Sequence, residues 1–217
     1  MAEISFYLKD EDFEKPPEDI YYLLAANGLF KITKTFAFTA STVSFTPRKG
    51  KELKSLKVHE EELKLHLPKK IPSSMFLDSL GFFREIYRLH QSEAEVLLYW
   101  SDKEKEYVLI VPEQMAGSMA LSAEVGANPK GLDRVGTMHS HGDLWAFHSE
   151  IDDRDEEHDD GLHITFGDVM DFPSISCSVV VDGRRFMVQP KNIFELEPFK
   201  LPLVPKAWVK KVKPIRG

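Results

Sequence analysis

The sequence predicts an α/β or α+β fold, a mixed β-sheet with flanking helices, preceded by a β-rich N-terminal region. Three observations carry this prediction. Residues 20–67 hold short apolar runs in extended spacing, residues 74–90 hold the clearest amphipathic helix in the chain, and beyond it short apolar runs alternate with Gly-, Pro- and Asp-rich breaks. Taken in order, IYYLLAANGLF joins two apolar runs through Asn27-Gly28, a dipeptide suited to the positive φ angles of a tight hairpin turn. Phe30, Ile32, Phe36 and Phe38 then recur at even positions, which predicts one half-buried strand interrupted by Lys34. The polar linker TPRKGKELKS leads to Leu56, Val58, Leu63, Leu65 and Leu67, a spacing that favours extended chain.

Pro72 opens the helix, whose Phe76, Leu80, Phe83 and Tyr87, backed by Leu77 and Ile86, line one face to about His90. EVLLYW (Glu95 to Trp100) and YVLIVP (Tyr107 to Pro112) predict two buried strands around the charged turn SDKEKE, and a further strand is expected near Met119 to Val125. GANPKGLDR is a loop and Val135 to His141 a strand; LHITFGDV and SISCSVVV are strands as well, the second turned into RRFMVQP by Asp182-Gly183. The expected organisation is a β-rich region at 1–72, a domain at 73–197 and a basic tail at 198–217 that lies loosely on the surface.

Composition narrows the function classes. Hydrophobic residues make up 42% of the chain, enough for a packed interior, and the single Cys177 excludes an intramolecular disulfide and every cysteine-rich zinc pattern. Any metal must be held by histidines and carboxylates. A net charge of -7 gives no general attraction to nucleic acid or an acidic membrane surface. No apolar run approaches the roughly 18 residues of a membrane span, and the N-terminus lacks the pattern of a signal peptide, so a cytoplasmic location is expected.

The chemistry concentrates in MHSHGDLWAFHSEIDD, residues 138–153. His139 and His141 stand two apart on a predicted strand and so project from the same face, where two imidazoles could share one metal ion. The pair alone leaves open a polar strand end with both rings in water. Ser149-Glu150-Ile151-Asp152 has the spacing of a helix start, with the Ser hydroxyl accepting from a first-turn amide and Asp152 at the positive end of the helix. Capping and metal binding are compatible there. The capped turn can aim Asp152 at a metal with Ser149 beside it.

Together these residues spell H-x-H-x7-S-x-x-D, and in that spacing the chain resembles the JAMM metalloproteases, the JAB or MPN-domain family that cleaves peptide and isopeptide bonds next to ubiquitin-like folds. The resemblance implies zinc (Zn2+) held by His139, His141 and Asp152, with a water completing a catalytic set of four. It also implies a glutamate at the start of a buried strand after a long helix. Glu95 fits, with Glu93 its competitor, as the group that takes the water's proton and delivers it to the leaving amine, while Ser149 would donate a hydrogen bond to the developing oxyanion. NGLF, EVLLYW with YVLIVPEQ, HSHGDLWAFHSEIDDRDE and the late NIFELE look like the PRTRC system protein A branch of these proteins, over roughly residues 20–197. That branch implies a ubiquitin-like protein and an activating-enzyme-like protein as partners. Many such motifs have Pro after the second His; here it is Gly142, which implies a more mobile loop.

The other polar residues have plainer readings. His148 is expected to face solvent or to stack, and His158 and His163 to be structural. Trp145 and Phe147 are loop anchors in the core or the walls of a substrate groove. The acidic run Glu150 to Asp160 is a solvated helix face, and Cys177 a buried strand residue. An enzyme of this type, a non-catalytic scaffold on the same fold and a small-peptide amidase are the three functions in play.

Overall fold

Alternating apolar residues build the first of two units in the computed structural model, which describes residues 4–117, 121–123, 126–195 and 204–214. This unit, Met1–Lys69, is a five-stranded sheet in the order β1 (Ser5–Leu8), β2 (Ile20–Ala25), β3 (Gly28–Lys34), β4 (Phe38–Phe45) and β5 (Glu62–Leu65). β1 runs parallel to β2 and the other neighbours are antiparallel. Tyr21, Leu23, Ala25, Phe30 and Ile32 form its buried cluster.

Two expectations change here. The hairpin turn is Ala26-Asn27, because Ala25 already pairs with Gly28, which begins β3. Asn27 instead ties down a distant segment, donating from Nδ2 to the His59 carbonyl and accepting from the His59 amide at Oδ1. The single strand expected over Phe30 to Phe38 is two strands. The chain reverses at residues 35–37, where Thr35 Oγ1 accepts from the amides of Ala37 and Phe38.

His59 in this unit mimics a catalytic pair, lying 2.8 Å by Nε2 from Ser41 Oγ and 2.7 Å by Nδ1 from Lys9 Nζ. An ammonium only donates, so Nδ1 accepts and Nε2 carries the proton that goes to Ser41. That polarity is the reverse of what a general base needs. The contact is a structural tie.

The second unit, Lys70–Gly217, holds α1 (Ser73–His90), β6 (Glu95–Ser101), β7 (Glu106–Ile110), β8 (Gln114–Ala116), β9 (Leu121–Ala123), β10 (Asp133–Ser140), α2 (Glu150–Glu156), β11 (Gly161–Gly167), β12 (Ser174–Val181), β13 (Arg184–Met187), α3 (Pro190–Ile193), α4 (Lys206–Val209) and β14 (Val212–Pro214). Its main sheet runs β13-β12-β11-β10-β6-β7. Only β10 and β11 pair in parallel within it. The architecture is α+β.

The sheet has two unlike faces. Val96, Met138, Ile164 and Cys177 form one row across four strands, and α1 covers that side through Ser79 Oγ against Met138 Sδ and through Phe76 and Phe83 against Phe166. The next row, Glu95, His139, Thr165 and Ser176, points the other way, toward α2, as does the following row of Leu97, Thr137, His163 and Ser178. Asp182 and Gly183 both adopt positive φ at the β12–β13 turn, as the Asp-Gly signal predicts.

β8 has no counterpart among the expected strands. The strand expected near Met119 to Val125 is β9, and Met119, Ala120, Glu124 and Val125 lie outside the described residues. The basic tail was expected to be loose. Its described part, residues 204–214, is built into the fold: Trp208 meets Phe82 edge-on at 5.8 Å between ring centroids, and β14 pairs in parallel with β8.

Candidate metal centre

His139 is carried by the last turn of the ladder on β10, and His141 lies just past the strand's end, yet both rings are buried and face one point. His141 keeps strand-like direction because its amide still donates to Phe166 O at 2.8 Å. Asp152 arrives from α2. Ser149 caps that helix in a capping box: its hydroxyl accepts from the Asp152 amide at 3.1 Å, and its own amide donates to Asp152 Oδ2 at 2.6 Å. The cap thus fixes the carboxylate that the site uses. It consumes a lone pair of the Ser149 oxygen and leaves the hydroxyl proton available.

The distances suit a small cation. His139 Nε2 and His141 Nε2 are 3.2 Å apart, Asp152 Oδ1 is 3.5 Å from His139 Nε2, and Asp152 Oδ2 is 3.2 Å from His141 Nε2. Four-coordinate zinc with bonds of about 2.0–2.1 Å sets its ligand atoms about 3.3 Å apart. Two imidazoles and one carboxylate also form the donor set of a catalytic, rather than a closed structural, zinc site. Among the described residues these three form the one such group whose ligand atoms all lie within 4.8 Å of one another.

Electrostatics set the three groups differently. Burial pushes His139 down to about 4, against the opposing charges of Asp152 and Glu156, so at neutral pH its lone pair is free for a cation. His141 is raised: burial works against the proton, but the hydrogen bond and charge of Asp152 prevail. Burial would push Asp152 up, yet the contacts with His141, His139 and Ser149 hold it well below the usual carboxylate range.

Of the two glutamates expected near the site, Glu95 begins β6 and is held there by Gln114, and Glu93 lies two residues before it, its amide donating to Gly117 O. The Gln114 side-chain amide imitates a neighbouring strand, accepting from the Glu95 amide at 2.8 Å and donating to the Glu95 carbonyl at 3.0 Å. Glu95 pairs directly with His139 across the ladder. Continuing the register places Glu93 opposite His141, and Ser140 bonded to Ala94 carries the pairing through that step. Burial raises both carboxyls to about 7. Their neighbours differ: after burial, Glu93 responds to His141 and Asp152, whereas Glu95 responds to Arg134, Asp159, His163 and Glu156. Glu93 therefore faces the ligand cluster, and Glu95 faces the charged group behind it.

That group was not foreseen. Glu156, expected on a solvated helix face, is only 7% exposed. Its Oε2 pairs with Arg185 at 2.6 Å, its Oε1 lies 3.2 Å from His163 Nδ1 and 3.9 Å from His139 Nδ1, and Arg185 also reaches Asp153 and Ser178. One signal was in the sequence, since Glu156 is four residues after Asp152 and so shares its helix face. Burial would raise Glu156, but His163, His139 and Arg185 lower it. His163 is fully buried, bonded to Thr137 Oγ1 and to the Asp159 carbonyl. His158 is exposed.

The loop 142–148 is pinned. Gly142 sits at φ +62, which proline cannot adopt, and a Cβ there would meet the Tyr87 ring. Val169 donates to Gly142 O, Asp168 donates to Leu144 O, and the Ala146 amide donates to Ser174 Oγ. The loop lies so close over β11 that a Cβ on Gly167 would stand 2.1 Å from Ala146 N. The mobility expected from Gly142 is replaced by a specific turn. Trp145 does not anchor the core, being 71% exposed, and Phe147 is exposed on one edge while its ring meets His141. His148 is half-buried and bonded to Thr165, where solvent-facing or stacking was expected. Cys177 is buried, its thiol pushed up to about 12, so it is no nucleophile.

Residues 83–186 match the family described as prokaryotic homologs of the JAB domain. This part of the chain is similar to a JAB domain. The match runs from the second half of α1 into β13 and contains the His-His-Asp group and both glutamates. No curated protein matches the chain. The matched segment includes the polar face of the main sheet and leaves the N-terminal unit outside it.

Proposed function

We propose that the chain is a JAMM-type metal-dependent hydrolase that cleaves a peptide or isopeptide bond at the end of a ubiquitin-like protein. The observation that carries this reading is the convergence of His139, His141 and Asp152 at the edge lengths of a zinc tetrahedron. These three residues would hold the ion. Bound there, zinc would polarise the scissile carbonyl and acidify a water.

The chain's own groups do the rest. Glu93, facing His141 and Asp152 and raised to about 7 by burial, takes a proton from the attacking water as the oxygen bonds to the carbonyl carbon. It then returns that proton to the amide nitrogen as the C–N bond breaks, leaving an amine and a carboxylic acid, which ionises by losing the second water proton. Ser149, whose oxygen accepts within the cap, directs its free proton toward the developing oxyanion. Trp145, Phe147, Ile151, Met170 and Phe172 are exposed apolar side chains on the loop after His141, on α2 and on the segment after β11. They fit the grip on an extended, apolar substrate tail. By its resemblance to the PRTRC branch, the partners would be a ubiquitin-like protein and an activating-enzyme-like protein.

The test uses full-length protein, its zinc content, and cleavage of a ubiquitin-like fusion beside free short peptides. Expected are stoichiometric zinc, cleavage of the fusion, loss of both with Asp152→Ala, and loss of turnover alone with Glu93→Gln, whereas Glu95→Gln retains turnover. Cleavage of the free peptides alone would identify a small-peptide amidase. Absence of zinc, with Asp152→Ala changing nothing, would overturn the proposal in favour of a scaffold.

A further inference from the structure

Thr165 and His148 border the same cluster and have no part in the mechanism above. Thr165 pairs with His139 across the parallel β10–β11 ladder and is fully buried. Its Oγ1 lies 3.4 Å from His139 Nε2 and 3.3 Å from His148 Nδ1. His148 reaches it from the loop above, and its Nε2 is buried with no hydrogen-bond partner among the described residues. In the sheet order, β10 stands between β11 and β6, so Thr165 and Glu93 flank the histidine ligands from opposite sides.

A proton count gives this pair a task. An attacking water carries two protons, and Glu93 accepts one of them. The second needs an acceptor if the water is to keep one orientation, with its lone pair toward the carbonyl. A threonine oxygen can accept on its lone pairs, and it acts toward the water as an acceptor rather than a donor when its own proton is directed elsewhere. His148 Nδ1 is placed to engage it, and burial, pushing His148 down to about 4, keeps that nitrogen an acceptor at neutral pH. Valine would fill the same space on β11 without the hydroxyl, so packing alone gives no reason for threonine. The Nε2–H that this tautomer leaves unpartnered fits a site completed by something that enters it.

Resting on the metal reading above, we propose that Thr165 and His148 are a positioning pair. Thr165 Oγ1, its proton donated to His148 Nδ1, accepts a hydrogen bond from the attacking water on the β11 side while Glu93 takes the other proton on the β6 side.

The test is cobalt substitution of the full-length protein, with its visible absorption as the readout, in wild type, Thr165→Val, Thr165→Ser and His148→Phe. All four should take up cobalt with the same stoichiometry. Wild type and Thr165→Ser should share one spectrum, and Thr165→Val and His148→Phe should show a common, shifted one. On a cleavable fusion, the latter two should lose about 10- to 100-fold in kcat with KM unchanged, as expected for outer groups that orient a metal site. If Thr165→Val fails to fold, His148→Phe, a change in the loop, gives the same reading. Spectra of Thr165→Val and His148→Phe identical to wild type overturn the inference and leave the metal reading intact. A wild-type protein that takes up no cobalt overturns both.

Discussion

Arg185→Met is the most direct probe of the charged group that backs the metal centre. Arg185 makes three contacts within 2.8 Å: Nη2 to Glu156 Oε2 at 2.6 Å, Nη1 to Ser178 Oγ at 2.6 Å and Nε to Asp153 Oδ1 at 2.8 Å. Its side chain is 16% exposed and that of Glu156 10%, so solvent cannot replace the lost partner. Removing one member of a buried pair leaves an uncompensated charge and costs about 3–5 kcal/mol. Residual exposure and the remaining His163 contact place the expectation at the lower end, about 3 kcal/mol. For a unit of 148 residues (217 − 69), at roughly 2–4 °C per kcal/mol, the melting temperature should fall by about 9 °C. All three tryptophans, Trp100, Trp145 and Trp208, belong to this unit, so intrinsic fluorescence follows its unfolding without contribution from Met1–Lys69. Glu156→Gln combined with Arg185→Met should lose less than the sum of the single changes, with a coupling above about 1 kcal/mol. A loss below about 0.5 kcal/mol for Arg185→Met, or strict additivity, would refute the claim that Glu156 depends on this guanidinium.

Other perturbations read other parts of the site. Zinc at 100 times its dissociation constant should stabilise the second unit by about 2.7 kcal/mol in urea unfolding, and His139→Ala should abolish the gain. Gly142→Pro, which would place there the residue many JAMM motifs carry, cannot hold φ +62; it should cost about 1–3 kcal/mol and weaken zinc retention against a chelator. Ser149→Ala should cost about 1 kcal/mol through the lost cap, seen by fluorescence unfolding, and about 10²–10³-fold in kcat through the lost donor. In metal-free protein, Glu95, raised to about 7 chiefly by burial, binds a proton in the folded state that the unfolded chain has released. Its contribution therefore falls as pH rises from about 4.5 to 7, and Glu95→Gln should remove a slope of about one proton from urea stabilities measured across that window.

What was legible in the sequence is what depends on near neighbours. The α1 periodicity, the capping box at Ser149 and the positive-φ turn at Asp182-Gly183 are each set within a few residues, and each stands where the pattern predicts. The ligand spacing is local too, because two histidines at the end of one strand and an aspartate three residues into a capped turn need only the loop between them to close. The unforeseen features join distant segments. Glu156 is made a buried ion by Arg185, 29 residues away, and Gln114 is made a strand substitute by Glu95, 19 residues away. A run rich in Asp and Glu looks like a solvated face until the strand that supplies its cation is in place. The hydrophobic Trp145 was equally ambiguous, since apolar character predicts burial and says nothing of a loop that exposes it. For the choice between Glu93 and Glu95 the difficulty was different. Both point the same way along the chain entering β6, each level with one of the two histidines, and only the charged groups around them in the fold tell them apart.

That pairing depends on a single irregularity. On β10, Arg134 pairs with Tyr99 while Gly136 pairs with Leu98, so a bulge at Val135 takes two residues against one on β6. Downstream of it, His139 meets Glu95 and Glu93 comes level with His141. Without the bulge the upstream register would continue, and Ala94 and Ser92 would take the positions that Glu95 and Glu93 hold beside His139 and His141. The row of Glu95, His139, Thr165 and Ser176 would lose its first member, and Glu93 would turn to the side that α1 covers. The ligand set itself would survive, because β11 and α2 contact β10 from the other side. The bulge thus sets two things apart: the His139, His141 and Asp152 cluster rests on β10 and α2, and the placement of the glutamates beside it rests on the phase between β10 and β6.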